Sequence, residues 1–72
     1  MDVILYASST CPKCHVLAQK LEEAGINFTV LKDEAAANAG INEVPVLEVN
    51  GNRMKFVDAN KWINENKNGG QH

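Results

Sequence analysis

Two cysteines lie three positions apart near the start of the chain, in the run Thr10-Cys11-Pro12-Lys13-Cys14-His15. A thiol pair at this spacing suits three chemistries: a dithiol redox centre, half of a zinc site, or, because His15 follows directly, the covalent anchor of a c-type haem. Haem attachment needs a large apolar cavity and usually a second axial ligand. Met54 is the only interior methionine, and it falls in a stretch that reads as a core-facing strand. A closed zinc site needs four ligands, generally as two well-spaced pairs. Here the second pair is missing, and the only histidine besides His15 is His72 at the C-terminus. No metal or other bound cofactor is therefore expected.

The redox reading needs only what surrounds the pair. With Cys11 as a helix N-cap and Pro12 at the first helical position, the Cys11 sulfur sits over first-turn N–H groups that lack partners. Those donors, the helix dipole and the positive charge of Lys13 all favour a thiolate. Thiols in such settings have pKa values of roughly 3.5 to 7.5, against about 8.5 for a free one. Cys14, one turn later, has no comparable donors and should stay protonated and more buried. The asymmetry makes Cys11 the attacking sulfur and Cys14 the resolving one. Buried cysteine as plain core packing is the bland alternative, but a strand-to-helix turn beside Pro12 and Lys13 is a poor place for it. His15, four residues after Cys11, reads as a solvated helix residue.

These roles require a strand that ends, and a helix that begins, at the motif. Val3 to Ala7 is a short run of strand formers with both faces apolar, as in a buried strand. Beyond Pro12, Cys14, Leu17, Ala18 and Leu21 fall on one helical face, and Gly25 is placed to end the helix. Ile26 to Lys32 reads as a second strand, and Asp33 as the cap of a short alanine-rich helix from Glu34 to Ala39, closed by Gly40. Val46 to Val49 runs into Asn50-Gly51, a strong hairpin signal. Arg53 and Lys55 then alternate with Met54 and Phe56 on the return strand. Asp58 reads as the N-cap of a last helix with Ala59, Trp62 and Ile63 inward. The order is β-α-β-α-β-β-α in one α/β domain over residues 1–66, with a polar tail from 67 to 72.

Seventy-two residues allow one modest core, and an apolar fraction of 44% is enough to fill it. A net charge of −2 with scattered basic residues gives nucleic acid binding no support. The longest apolar run is far too short to span a membrane, and no leader is recognised before it. A soluble, cytoplasmic monomer is expected, in a compartment where a Cys-x-x-Cys pair is more often catalytic or metal-binding than structural.

The strand running into Thr10-Cys11-Pro12-x-Cys14, the βαβ unit, and Val44-Pro45 before a hairpin resemble a glutaredoxin of the thioredoxin-like superfamily, from Val3 to about Asn64. The resemblance implies a four-stranded mixed sheet with three helices. It further implies a cis bond before Pro45, and a thiol–disulfide oxidoreductase that carries electrons in cell redox homeostasis. Val44, Pro45 and Asp58 become the candidates for holding a thiol substrate or glutathione. Three positions depart from the family members that use glutathione. Ser8 stands where they often carry lysine, Lys13 where they have tyrosine, and Lys55-Phe56-Val57 where they have a glycine pair, with Asp58 retained. Glutathione is thus one candidate co-substrate. A thioredoxin-reductase-type flavoprotein is the other candidate donor, as for small redoxins that serve ribonucleotide reductase. Disulfide-bearing proteins are the expected substrates. A non-catalytic metal-binding or adaptor module is the reading from a different class.

Overall fold

The structure, a computed structural model, describes residues 2–67. Its elements are β1 (Val3–Ala7), α1 (Pro12–Glu23), β2 (Thr29–Lys32), α2 (Glu34–Asn38), β3 (Val46–Val49), β4 (Asn52–Met54) and α3 (Phe56–Glu65). The four strands form one mixed sheet in the order β2-β1-β3-β4. β1 runs parallel to β2 and antiparallel to β3, and β3 and β4 form an antiparallel hairpin.

β1 takes an interior position because both of its faces are apolar. Side chains alternate across a strand, so Val3, Leu5 and Ala7 meet Leu17 and Leu21 of α1 and Ala59 and Ile63 of α3 in the main core. Tyr6, with Ile4 packed beside it, faces the other way onto a smaller cluster formed with Val46 of β3 and Ala36 of α2. Two helices therefore cover one face and a single short helix the other. Among the described residues no helix is long and apolar enough to cross a membrane.

Both α1 and α2 stop by the same device. After α1, the Gly25 N–H donates to the Glu22 carbonyl at 3.1 Å and the Ile26 N–H to the Leu21 carbonyl at 3.0 Å. After α2, Gly40 and Ile41 donate to Ala37 and Ala36 in the same pattern. These paired bonds are Schellman caps, which need a residue at positive φ, and Gly25 (φ 73) and Gly40 (φ 82) supply it. The cap also shortens the second strand. Ile26 is buried in the turn rather than in the ladder, so β2 begins at Thr29 and not at Ile26. In the hairpin both Asn50 (φ 50) and Gly51 (φ 89) have positive φ, as a two-residue type I′ turn demands.

The last helix starts earlier than the sequence suggests. Lys55 is its N-cap, in extended backbone, and Asp58 lies in its first turn. β4 is correspondingly cut to three residues, and Lys55 and Phe56 leave the strand for the helix. Ala59 and Ile63 are fully buried and Trp62 packs against the same core, so the inward face is the expected one. Asn66 ends α3. Of the expected tail only Lys67 belongs to the described residues; 68–72 lie outside them.

Candidate functional site

The turn between β1 and α1 carries both cysteines. Cys11 is the N-cap of α1 in extended backbone (φ −103, ψ 105), with Pro12 directly after it at the first helical position. The Cys11 sulfur accepts the Cys14 backbone N–H at 3.2 Å. A sulfur therefore does here what an N-cap oxygen does elsewhere: it satisfies an orphan first-turn donor. The Cα atoms of Cys11 and Cys14 are 5.3 Å apart, and the two side chains are joined as a disulfide. Their surroundings differ. Cys14 is 4% exposed within the main core, whereas Cys11 packs only partly against it. His15 points into solvent from the next position.

Asp33, read from sequence as a cap for α2, occupies the N-cap position of that helix but makes no capping bond with its side chain. Its carboxylate accepts instead from the Ser9 N–H at 3.1 Å and the Ser9 hydroxyl at 2.5 Å, while its own N–H donates to the Ala7 carbonyl at 3.1 Å. The parallel pairing of β1 and β2 explains this, because it brings the loops after both strands to one end of the sheet. Asp33 thus fastens the turn that delivers Cys11. It does so at φ 56 and ψ −117, a backbone that costs a non-glycine residue on the order of 1–3 kcal/mol.

These hydrogen bonds from Ser9, aided by nearby Lys32, hold the Asp33 carboxyl below its ordinary value. A folded-state pKa lowered below the unfolded one gives a contribution that is complete above the unfolded pKa and fades as pH falls through the folded one. The Ser9 amide resonance should therefore stay constant from neutral pH down into the ordinary carboxylate range. It should move only at more acid pH, and Asp33→Ala should abolish that movement. A Ser9 shift titrating at an unperturbed aspartate value would contradict the assignment.

Two further segments converge on the motif. The Lys13 ammonium lies 5.4 Å from the centroid of the Phe56 ring, which ties the first turn of α1 to that of α3. Glu43 and Lys55 form an ion pair at 2.7 Å. It lowers the Glu43 pKa and raises that of Lys55, chiefly through the shared hydrogen bond. Because Glu43 precedes Val44 and Lys55 precedes Phe56, this pair holds the Val44-Pro45 loop beside the start of α3. The Val44–Pro45 bond is cis, as the resemblance implied. Pro45 is buried, Val44 half-buried against the core, and Asp58 exposed in the first turn of α3. Segments 11–14, 43–45 and 55–57 are thus neighbours. Ser9, Asp33 and Glu43 are participants that sequence reasoning did not single out for the site, and Phe56 figured there only as part of the stretch that replaces a glycine pair. Among the described residues, no three His, Cys, Asp or Glu side chains gather as a metal ion would require.

The glutaredoxin family model matches residues 3–54, which take in the whole sheet, both cysteines and the cis proline. The chain belongs to the glutaredoxin family. It is accordingly a thiol–disulfide oxidoreductase whose redox-active pair is Cys11 and Cys14. Solved structures share the fold. A thioredoxin-like protein superposes with a TM-score of 0.72 at 17% identity, over 86% of this chain and 99% of its own. The NrdH-redoxin of Escherichia coli gives 0.64 at 20% identity, over 85% and 93%. A wheat glutaredoxin gives 0.69 at 20%, over 99% and 74%. At these identities the likeness speaks to architecture alone. No curated protein matches the chain. The family match ends at Met54, so the α3 rim of this glutaredoxin, Lys55-Phe56-Val57, lies beyond it.

Proposed function

We propose that the reduced chain passes two electrons to protein disulfides, with Cys11 as the attacking thiolate and Cys14 as the resolving thiol. The observation that carries this reading is the asymmetry of the pair: an N-cap sulfur that accepts a backbone N–H, and a partner sulfur buried one turn along. The Cys14 N–H donated to Cys11 and the helix N-terminus beneath it favour the ionised form, and Lys13 adds charge of the right sign. In the first step the Cys11 thiolate bonds to one substrate sulfur and the substrate S–S bond breaks. The departing thiolate takes up a proton. In the second, Cys14 gives up its proton and bonds to Cys11, and the other substrate sulfur leaves and is protonated. The substrate gains two electrons and two protons, and the chain ends as the Cys11–Cys14 disulfide.

Val44 gives the substrate chain a place to lie. Among the described residues neither its N–H nor its carbonyl finds a partner within the protein, so both are open to pair with an extended segment, as a strand pairs at a sheet edge. Asp58 stands ready for a cationic group in the same region.

The electrons that restore the dithiol come, in this reading, from a thioredoxin-reductase-type flavoprotein rather than from glutathione. An apolar α3 rim, with Val57 well exposed beside a half-buried Phe56, suits a protein surface better than a small anionic tripeptide. The Escherichia coli NrdH-redoxin, which shares this fold, is described as a glutaredoxin-like protein with a thioredoxin-like activity profile. Such a cycle needs no resident cofactor and belongs in a reducing compartment, the cytoplasm. Offering the oxidised protein NADPH with thioredoxin reductase, or glutathione alone, separates the donors. Turnover is expected with the reductase, and full turnover on glutathione alone would reverse the assignment.

A further inference from the structure

Val57 is the most exposed large apolar side chain among the described residues, 76% open to solvent. It is not on a remote face. It follows Phe56, whose ring carries the ammonium of Lys13, the residue before Cys14. It also lies on the segment that the Lys55 ion pair links to Glu43, the residue before Val44. Cys11, Val44 and Phe56 all pack on the main core while keeping part of their surface in water. Single exposed apolar residues are ordinary on any protein. An apolar rim beside a reactive sulfur is a different case, because whatever brings a disulfide to that sulfur must cross it.

We infer that Val57 and Phe56 read the residues that flank the substrate's cysteine, selecting protein segments with apolar side chains there. The inference rests on the reading above, that Cys11 attacks a protein disulfide, and it adds the class of sequence around that disulfide. A substrate held by its sulfur at Cys11 and by its backbone at Val44 has its neighbouring side chains over the first turn of α3. Leucine or valine in that place removes its own apolar surface and that of Val57 from water together. Serine or a charged side chain removes only the protein's, and loses its own hydration. Lys13, at the edge of the rim, adds repulsion against flanking lysine or arginine.

The test uses two disulfide-linked peptide homodimers, identical except for leucine or serine at every position within two residues of the cysteine. Each rate of reduction by the dithiol protein is divided by the rate of dithiothreitol on the same peptide, which removes intrinsic differences in the disulfides. The normalised rate should favour the leucine peptide by about 10-fold. Val57→Ser should bring the ratio to within about twofold. Because Val57 is exposed, the variant should unfold at nearly the wild-type temperature. Equal rates on the two peptides, or a preference that survives Val57→Ser, would overturn the inference while leaving the oxidoreductase reading intact. A reduced protein inert toward both peptides and toward hydroxyethyl disulfide would overturn that reading, and this inference with it.

Discussion

Mixed with a protein disulfide, the Cys14→Ser protein should accumulate as a covalent adduct through Cys11, and the Cys11→Ser protein should form none at a comparable rate. The expectation follows from which sulfur has donors. Cys11 keeps its N-cap geometry in the Cys14→Ser chain, because the bond it accepts comes from the backbone N–H of residue 14 and not from that side chain. Attack on the substrate therefore proceeds, but no second thiol is in reach to displace what has been captured. In the Cys11→Ser chain the remaining sulfur is 4% exposed, without first-turn donors aimed at it. A thiol near its free value is only a few per cent ionised at neutral pH, and burial in apolar surroundings lowers that fraction further. Ionisation alone takes more than about 10-fold from the rate, and poor access should bring the total loss to about 100-fold or more. Mass spectrometry of the adduct, with its release by dithiothreitol, reads both outcomes. An adduct formed equally fast by Cys11→Ser would reverse the roles.

The parts of this site that were legible in the sequence are those set by short-range chemistry. Pro12 after Cys11 fixes the start of α1, Gly25 fixes its end, and the apolar spacing between them fixes its inward face, so the dithiol could be placed before any fold was known. Asn50-Gly51 did the same for the hairpin. The errors share another cause. Ile26 has strand-forming chemistry, yet its N–H serves the α1 cap, so the ladder begins three residues later. Asp58 has capping chemistry, yet α3 starts at Phe56, whose packing against the main core and contact with Lys13 lie outside any local window. Asp33 was placed correctly on the chain and given the wrong partner. Its acceptor oxygens satisfy Ser9, 24 positions away in sequence, because the parallel β1-β2 pairing brings the two loops together. Where a side chain has two uses for the same hydrogen bond, topology decides between them, and topology is what a linear reading sees last.

Leu17→Ala should cost more stability than any substitution in the site itself. Leu17 is fully buried in the main core, on the same helix whose first turn holds the dithiol. Truncating a buried leucine removes about 2–5 kcal/mol, the spread depending on how far the cavity collapses. For a chain of 72 residues the whole folding free energy is only roughly 4 to 11 kcal/mol. The loss is then from about a fifth to all of it, and the urea midpoint should fall by about 1 to 3 M. The Cys11–Cys14 bridge cannot compensate. It closes a loop confined to one helical turn, so it restrains little of the unfolded chain, and the oxidised and reduced proteins should lose about the same amount. Val16, the preceding residue of α1, provides the control: it is 42% exposed, and Val16→Ala should change stability by no more than about 0.5 kcal/mol. A comparable loss from both would mean that α1 is not held by its buried face. The account of how the fold carries Cys11 to the end of the sheet would then have to be rebuilt from the loop contacts at Ser9 and Asp33.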